Sequence, residues 1–293
     1  MSSPVLVASR AAPSDYLELT KPRITLMVVF TALVGFVCAT QGPVSLPALS
    51  AALLGTGLVA AGASALNMLM ERDTDALMRR TRSRPLPAGR LRPGEALLFG
   101  LGTTALGLLE LTWLSGALAA VVALATWSSY LFLYTPLKRR TSLSTLVGAV
   151  PGALPPVIGW AAARHTLDGG AFVLFAILFL WQVPHFLAIA WIYRDDYAGA
   201  GLPMLPVLDR AGHLTGRQAV LHCLALLIVS LAPVAAGLAG GAYLVGAALL
   251  GLGLTGFALN LALARDLAAA RSLFLASIVY LPVLSCLLLA AQF

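Results

Sequence analysis

Residues 67–90 read NMLMERDTDALMRRTRSRPLPAGR, and they emerge directly from an apolar run placed at residues 46–68. In a chain only 11% charged, this stretch holds Glu71, Asp73 and Asp75 together with Arg72, Arg79, Arg80, Arg82, Arg84 and Arg90. At about 100° per residue, Asn67, Glu71 and Asp75 fall on one helical stripe about 12 Å long, and Asp73 lies off it. No proline stands between Pro47 and Pro85, so the helix that crosses the membrane can carry the stripe out unbroken. Two carboxylates and an amide are hard oxygen donors, the kind that hold magnesium when it also binds substrate phosphates. The arginines that follow offer fork-shaped donors to a phosphate. A solvated loop of mutually neutralising charges has the same composition, and spacing alone does not separate the two.

The surroundings fix the class. Apolar residues make up 59% of the 293, and the mean hydropathy is +0.90, far above a soluble domain of this size. The chain reads as an all-α polytopic membrane protein, with nine transmembrane helices around a central cavity. The apolar runs lie near 24–40, 46–68, 95–113, 116–136, 143–163, 170–190, 218–237, 240–262 and 272–291. Basic residues sort strictly among the loops. Arg10, Lys21 and Arg23 precede the first run, seven arginines from Arg72 to Arg92 fill the second loop, and Lys138, Arg139 and Arg140 fill the fourth. Arg194, Arg210 and Arg217 lie in the sixth, and Arg265 and Arg271 in the eighth. Of the 19 basic residues, 18 therefore share one side and only Arg164 is on the other, which places the N-terminus in the cytoplasm and the C-terminus outside. The same sorting accounts for the net charge of +7 without nucleic acid as a partner. Cys38, Cys223 and Cys286 sit in apolar runs with no metal-ligand spacing and read as small core residues. The first 20 residues lack the plan of a signal or transit peptide, so a chain that begins here, in a bacterial plasma membrane, is expected.

The chain reads as a single intramembrane domain, 1–293, with an N-terminal cytoplasmic segment 1–23 and two long cytoplasmic loops, 69–94 and 191–217, that carry most of the acids. The second of these grows out of WQVPHFLAIAWIYRDDYAGAGLPMLPV, residues 181–207. Gln182 and His185 are one turn apart inside the sixth span, and Pro184 between them should loosen the helix. Polar groups at this depth face a cavity or a protein interior, so His185 is either a ligand or a hydrogen-bonded packing residue. Asp195 and Asp196 form a second acidic site at the same end as the first, or a solvated turn. Around the fifth span the chain reads YTPLKRRTSLSTLVGAVPGALPPVIGWAA, residues 134–162. Pro151, Pro155 and Pro156 cannot share one straight helix, and irregular backbone at membrane depth borders a cavity or is buried in protein. Lys138, Arg139 and Arg140 at its mouth either hold an anion or anchor topology. Arg217 and Gln218 stand at the mouth of the seventh span, with His222 one turn in. Glu110, near the outer end of the third span, has no reading from sequence.

Three blocks in this order, RDTDALMRRTRSRPLPAG, YTPLKRRT with PGALPPVIGW, and WQVPHFLAIAWIYRDDYAGAGLPMLP, resemble the intramembrane prenyltransferase superfamily and, within it, the protohaem IX farnesyltransferases. Asn67, Glu71 and Asp75 match the superfamily pattern of Asn with acids at plus four and plus eight. Glu71 departs from the usual Asp, and the repeated DxxxD of quinone-type enzymes is replaced by Gln182, His185 and Asp195-Asp196, which favours haem over a phenolic acceptor. The resemblance implies farnesyl transfer from farnesyl diphosphate, with addition of water, to a vinyl group of haem B, giving haem O and diphosphate. It implies magnesium held by Asn67, Glu71 and Asp75, with Asp195 or Asp196, by preference Asp196, opposite. Arg72, Arg79, Arg80, Arg84, Lys138 and Arg139 are the residues implied for the diphosphate, and His185, Gln182 and Arg217 for the haem. Partners implied are the lipid bilayer and, downstream, haem A synthase or oxidase assembly factors. A quinone-precursor prenyltransferase keeps the fold and changes the acceptor. A transporter would place its polar groups near the bilayer midplane. A phosphatidyl-alcohol transferase would need a DGxxAR run, which is absent.

Overall fold

A computed structural model describes residues 12–293, so Arg10 lies outside the described residues. Among those residues there is no strand, and nine helices are long and apolar enough to cross a membrane. They are Pro22–Ala39, Leu46–Ala76, Pro93–Ser115, Ala117–Leu137, Ser144–Arg164, Gly169–Ile192, His213–Ala235, Gly241–Ala264 and Leu267–Ala290, referred to below as the first to ninth spans. The count matches the sequence expectation. The second span runs on to Ala76, which shortens the polar loop from 69–94 to 77–92, and the sixth loop contains two short helices, Arg194–Gly199 and Leu205–Leu208.

Local chemistry sets the ends. Proline opens the first, second and third spans within their first turn, where its missing N–H costs no hydrogen bond. Asp168 accepts from the Gly170 amide at 3.0 Å and Asp266 from the Ala269 amide at 2.7 Å, capping the sixth and ninth spans. Prolines act within the spans as well. The fifth is broken at Leu154, between Ser144–Ala153 and Pro155–Arg164, as its prolines require. The sixth differs from expectation, because Gly169–Ile192 passes through Pro184 without interruption. Pro184 is buried, and one missing ladder bond is tolerated where neighbouring helices hold the turn.

The first five spans pack as one group, with the first against the second half of the fifth and the second against the third. The sixth packs on the seventh and ninth, and the eighth packs on the same two, so the last four make a second group. The fifth and sixth spans join the groups, and the first span also touches the ninth. Small residues permit the closest approaches. A Cβ on Gly35 would stand 1.9 Å from the Pro156 carbonyl oxygen, and one on Gly159 would stand 1.9 Å from that of Ala32. Outward-facing residues such as Leu98, Trp113, Phe172, Leu249 and Leu263 are exposed, as a lipid-facing surface requires.

Candidate active site

The end of the bundle that carries the basic loops gathers the stripe. Asn67, Glu71 and Asp75 are all buried, and each meets its own cation. Lys21 Nζ donates to Asn67 Oδ1 at 2.7 Å, Lys138 Nζ donates to Glu71 Oε1 and Oε2 at 3.0 and 3.2 Å, and Arg84 Nη1 donates to Asp75 Oδ2 at 2.7 Å. Asn67 Nδ2 donates in turn to Thr135 Oγ1 at 3.0 Å. Glu71, Thr74, Asp75 and Lys138 line a narrow cleft together with Met78 and with Leu202 of the second polar loop.

The partners come from three elements. The fourth span widens into a π-helix at Ser129–Tyr134, an irregularity common at functional sites. Thr135 and Lys138 follow that segment, and Thr135 Oγ1 is tied back to the Tyr130 carbonyl at 2.8 Å. The Tyr130 and Tyr134 rings stack at 5.5 Å beside them. Arg84 reaches Asp75 because the loop after Ala76 turns tightly, with Thr81 Oγ1 donating to the Asp75 carbonyl at 2.9 Å. Lys21 arrives from the turn between the helix Pro13–Leu19 and the first span.

Burial pushes the Lys21 ammonium down to about 8, against the pull of Glu71, while Arg84 and Lys138 press in the same direction as burial. Burial also acts to discharge Lys138, but Tyr134 and Glu71 outweigh it, and its pKa is raised. The three cations and the amide and two carboxylates therefore occupy one another, and because Asn67 is neutral the set keeps one positive charge in excess.

Of the cations expected to hold a diphosphate, Arg84 and Lys138 reach the stripe. Arg72 is exposed and pairs with the still more exposed Asp73 at 3.2 Å, and Arg79 is exposed. Arg139 borders the cleft but donates to the Met70 carbonyl at 3.0 Å. Arg80 lies 4.7 Å over the Tyr193 ring and donates to the Tyr197 hydroxyl at 3.3 Å, which latches the first polar loop to the second. Met78, Tyr197, Leu202 and Met204 pack together beneath this latch. Lys21 is the residue that sequence reasoning missed, having been counted for topology alone. Lys21 and Lys138 are the only two lysines in the sequence, and the fold brings both to the stripe across 46 and 67 residues.

The second acidic site stands apart. Asp195 is exposed and Asp196 half-buried in the short helix Arg194–Gly199, and among the described residues no three His, Cys, Asp or Glu side chains gather into a metal cluster. Lys138 and Arg84 hold the carboxylates that such a cluster would need. The stripe by itself still suits a hard divalent cation, since its donors are one amide and two carboxylates on one helix face, and the two carboxylates line the cleft. Asn67, Glu71 and Asp75 would hold the ion, each exchanging its cation for it.

Gln182 and His185 diverge. Gln182 Nε2 donates to the Ala149 carbonyl of the fifth span at 3.2 Å and to Leu178 at 3.1 Å. His185 Nδ1 bonds Ser277 Oγ of the ninth span at 2.8 Å, and its ring stacks on Trp181 at 4.9 Å. Arg217 is exposed at the start of the seventh span. The Glu110 carboxylate oxygens are buried without a hydrogen-bond partner, against Gly55 of the second span.

Comparison with known proteins places this arrangement. A model of the UbiA prenyltransferase family matches residues 28–279. A protoheme IX farnesyltransferase from Solibacter usitatus (strain Ellin6076) is 48% identical over 285 residues, covering 94% of this chain and 97% of that one. Among solved structures, one concerning digeranylgeranylglyceryl phosphate synthase superposes with a TM-score of 0.80 at 15% identity, covering 95% of this chain and 98% of the other. A UbiA homolog from Archaeoglobus fulgidus bound to GPP and Mg2+ superposes at 0.67 with 16% identity, covering 94% and 99%. The family model and the full-length likeness lead to one conclusion: the chain is a prenyltransferase and belongs to the UbiA prenyltransferase family.

Proposed function

We propose that the chain transfers the farnesyl group of farnesyl diphosphate, with addition of water, to a vinyl group of haem B, giving haem O and diphosphate. The observation that carries the donor half is the pairing of Lys21, Lys138 and Arg84 with Asn67, Glu71 and Asp75, three cations on two carboxylates and an amide. A diphosphate is a polyanion that can take over all three cations, and the oxygens they release form a donor set for magnesium. Magnesium, when bound, supplies neutralisation of the diphosphate charge. The acceptor half is supported by the name of the Solibacter relative and by His185, whose Nδ1 is bonded to Ser277 while Nε2 has no hydrogen bond among the described residues.

In the reaction the allylic C–O bond breaks, and its electron pair leaves with the diphosphate held by Lys21, Lys138 and Arg84. The vinyl carbon supplies the pair for the new C–C bond. The porphyrin-conjugated cation takes water and loses a proton, leaving a hydroxyl beside the macrocycle. The protein's part is orientation and electrostatics. The basic loops support an orientation with this cleft on the cytoplasmic side, and in a plasma membrane haem O made there would feed haem A synthesis and respiratory oxidases.

The test is mass spectrometry of products after incubation with magnesium, farnesyl diphosphate, haem B and a hydroxybenzoate together. A haem mass raised by one farnesyl and one hydroxyl is the expected result, whereas a prenylated benzoate would keep the fold and overturn the acceptor. His185→Ala is expected to weaken haem binding about tenfold and to shift the bound-haem spectrum, since imidazole is a common axial ligand. An unchanged spectrum and affinity would remove His185 from the haem site.

A further inference from the structure

The helix Pro13–Leu19 belongs to no span, yet it is fixed firmly. Arg90, at the far end of the first polar loop, uses every arm of its guanidinium. Nε donates to Asp15 Oδ1 at 2.8 Å, Nη2 to Glu18 Oε2 at 2.6 Å and Nη1 to the Ser83 carbonyl at 2.7 Å. Leu19 is fully buried with Ala65 and Met68, which bracket Asn67 on the second span, and with Leu86 and Leu91 of the loop. The Tyr16 ring lies 5.4 Å from that of Phe99.

Two residues beyond Leu19 the chain turns at Lys21 with φ +48, a left-handed conformation unusual for a side-chain-bearing residue and more so before proline. Such backbone persists only where its surroundings over-determine it. The Lys21 amide donates to the Glu18 carbonyl at 3.2 Å, so the helix fixes the backbone of Lys21, and Arg90 fixes the helix. Ion pairs as open as Arg90 and Glu18, with side chains 38% and 44% exposed, contribute little to stability, so the value of this one lies in placement.

We propose that Arg90 is a positioning residue for the donor site: by clamping Asp15 and Glu18 to the loop, it holds Lys21 against Asn67, where the ammonium can receive a diphosphate. The proposal rests on the diphosphate reading above. Its test titrates the full-length protein with inorganic pyrophosphate and magnesium by calorimetry, comparing wild type, Arg90→Ala, Lys21→Met and the double variant. Each single change is expected to weaken binding about tenfold, and the double variant to bind no more weakly than Lys21→Met, because both act through one contact. Asp15→Asn with Glu18→Gln, which spares the Arg90–Ser83 bond, should reproduce the Arg90→Ala loss, and it carries the test if Arg90→Ala fails to fold. Additive losses, or wild-type affinity in either the Arg90→Ala or the Asp15→Asn/Glu18→Gln variant, overturn the clamp and leave the diphosphate reading standing. A wild type that binds no pyrophosphate overturns both.

Discussion

Asn67→Ala, Glu71→Ala and Asp75→Ala are each expected to lower kcat by on the order of 10²–10³ or more while the protein stays folded and inserted. The KM for farnesyl diphosphate should not rise in parallel. Each replacement removes an oxygen donor but also frees the cation paired with it: Lys21, Lys138 or Arg84. On the proposed reading, the ground-state diphosphate would then meet more available positive charge, while magnesium at the stripe would have lost a ligand. Steady-state kinetics across a magnesium titration, with chelator as the zero point, would show the split. Full activity in all three variants would remove the stripe from the mechanism.

Gly35→Ala and Gly159→Ala are expected to destabilise the bundle by about 1–3 kcal/mol each, lowering the thermal transition in detergent and the yield of folded protein. The reason is reciprocal backbone contact, since each added Cβ would stand 1.9 Å from a carbonyl oxygen of the facing helix, and a backbone atom cannot swing aside as a side chain can. Gly253→Ala and Gly256→Ala on the eighth span are the controls. Nothing stands within 4 Å of either added Cβ, so they should be neutral or stabilise by up to about 1 kcal/mol through helix propensity. Equal behaviour of the two pairs would contradict the close packing of the first and fifth spans.

Periodic and local features were legible in the sequence. Nine apolar runs match the nine spans among the described residues, the prolines after Ala149 marked the break at Leu154, and spacing put Asn67, Glu71 and Asp75 on one helical stripe, whose burial only the fold shows. What could not be read was which charge meets which, because those pairs close over long separations. Lys21 meets Asn67 across 46 residues, Lys138 meets Glu71 across 67, and Arg80 meets Tyr197 across 117. Composition shows only that cations and acids are plentiful near the same end of the bundle. Arg72 illustrates the limit, since it adjoins Glu71 in sequence but a 100° step turns it outward to Asp73. Pro184 was misleading for a related reason, as propensity is local and the neighbours that hold its turn are not.

The grip of Arg80 on Tyr193 and Tyr197 joins the loop of the donor stripe to the end of the helix that carries His185. On the proposed reading, the two substrates would load on opposite sides of this joint. If occupation of the donor cleft alters that grip and changes haem affinity by some factor, haem must change donor affinity by the same factor. The free energy of that coupling can be read by measuring either affinity with the other substrate absent and then saturating, and Arg80→Ala should bring it towards zero.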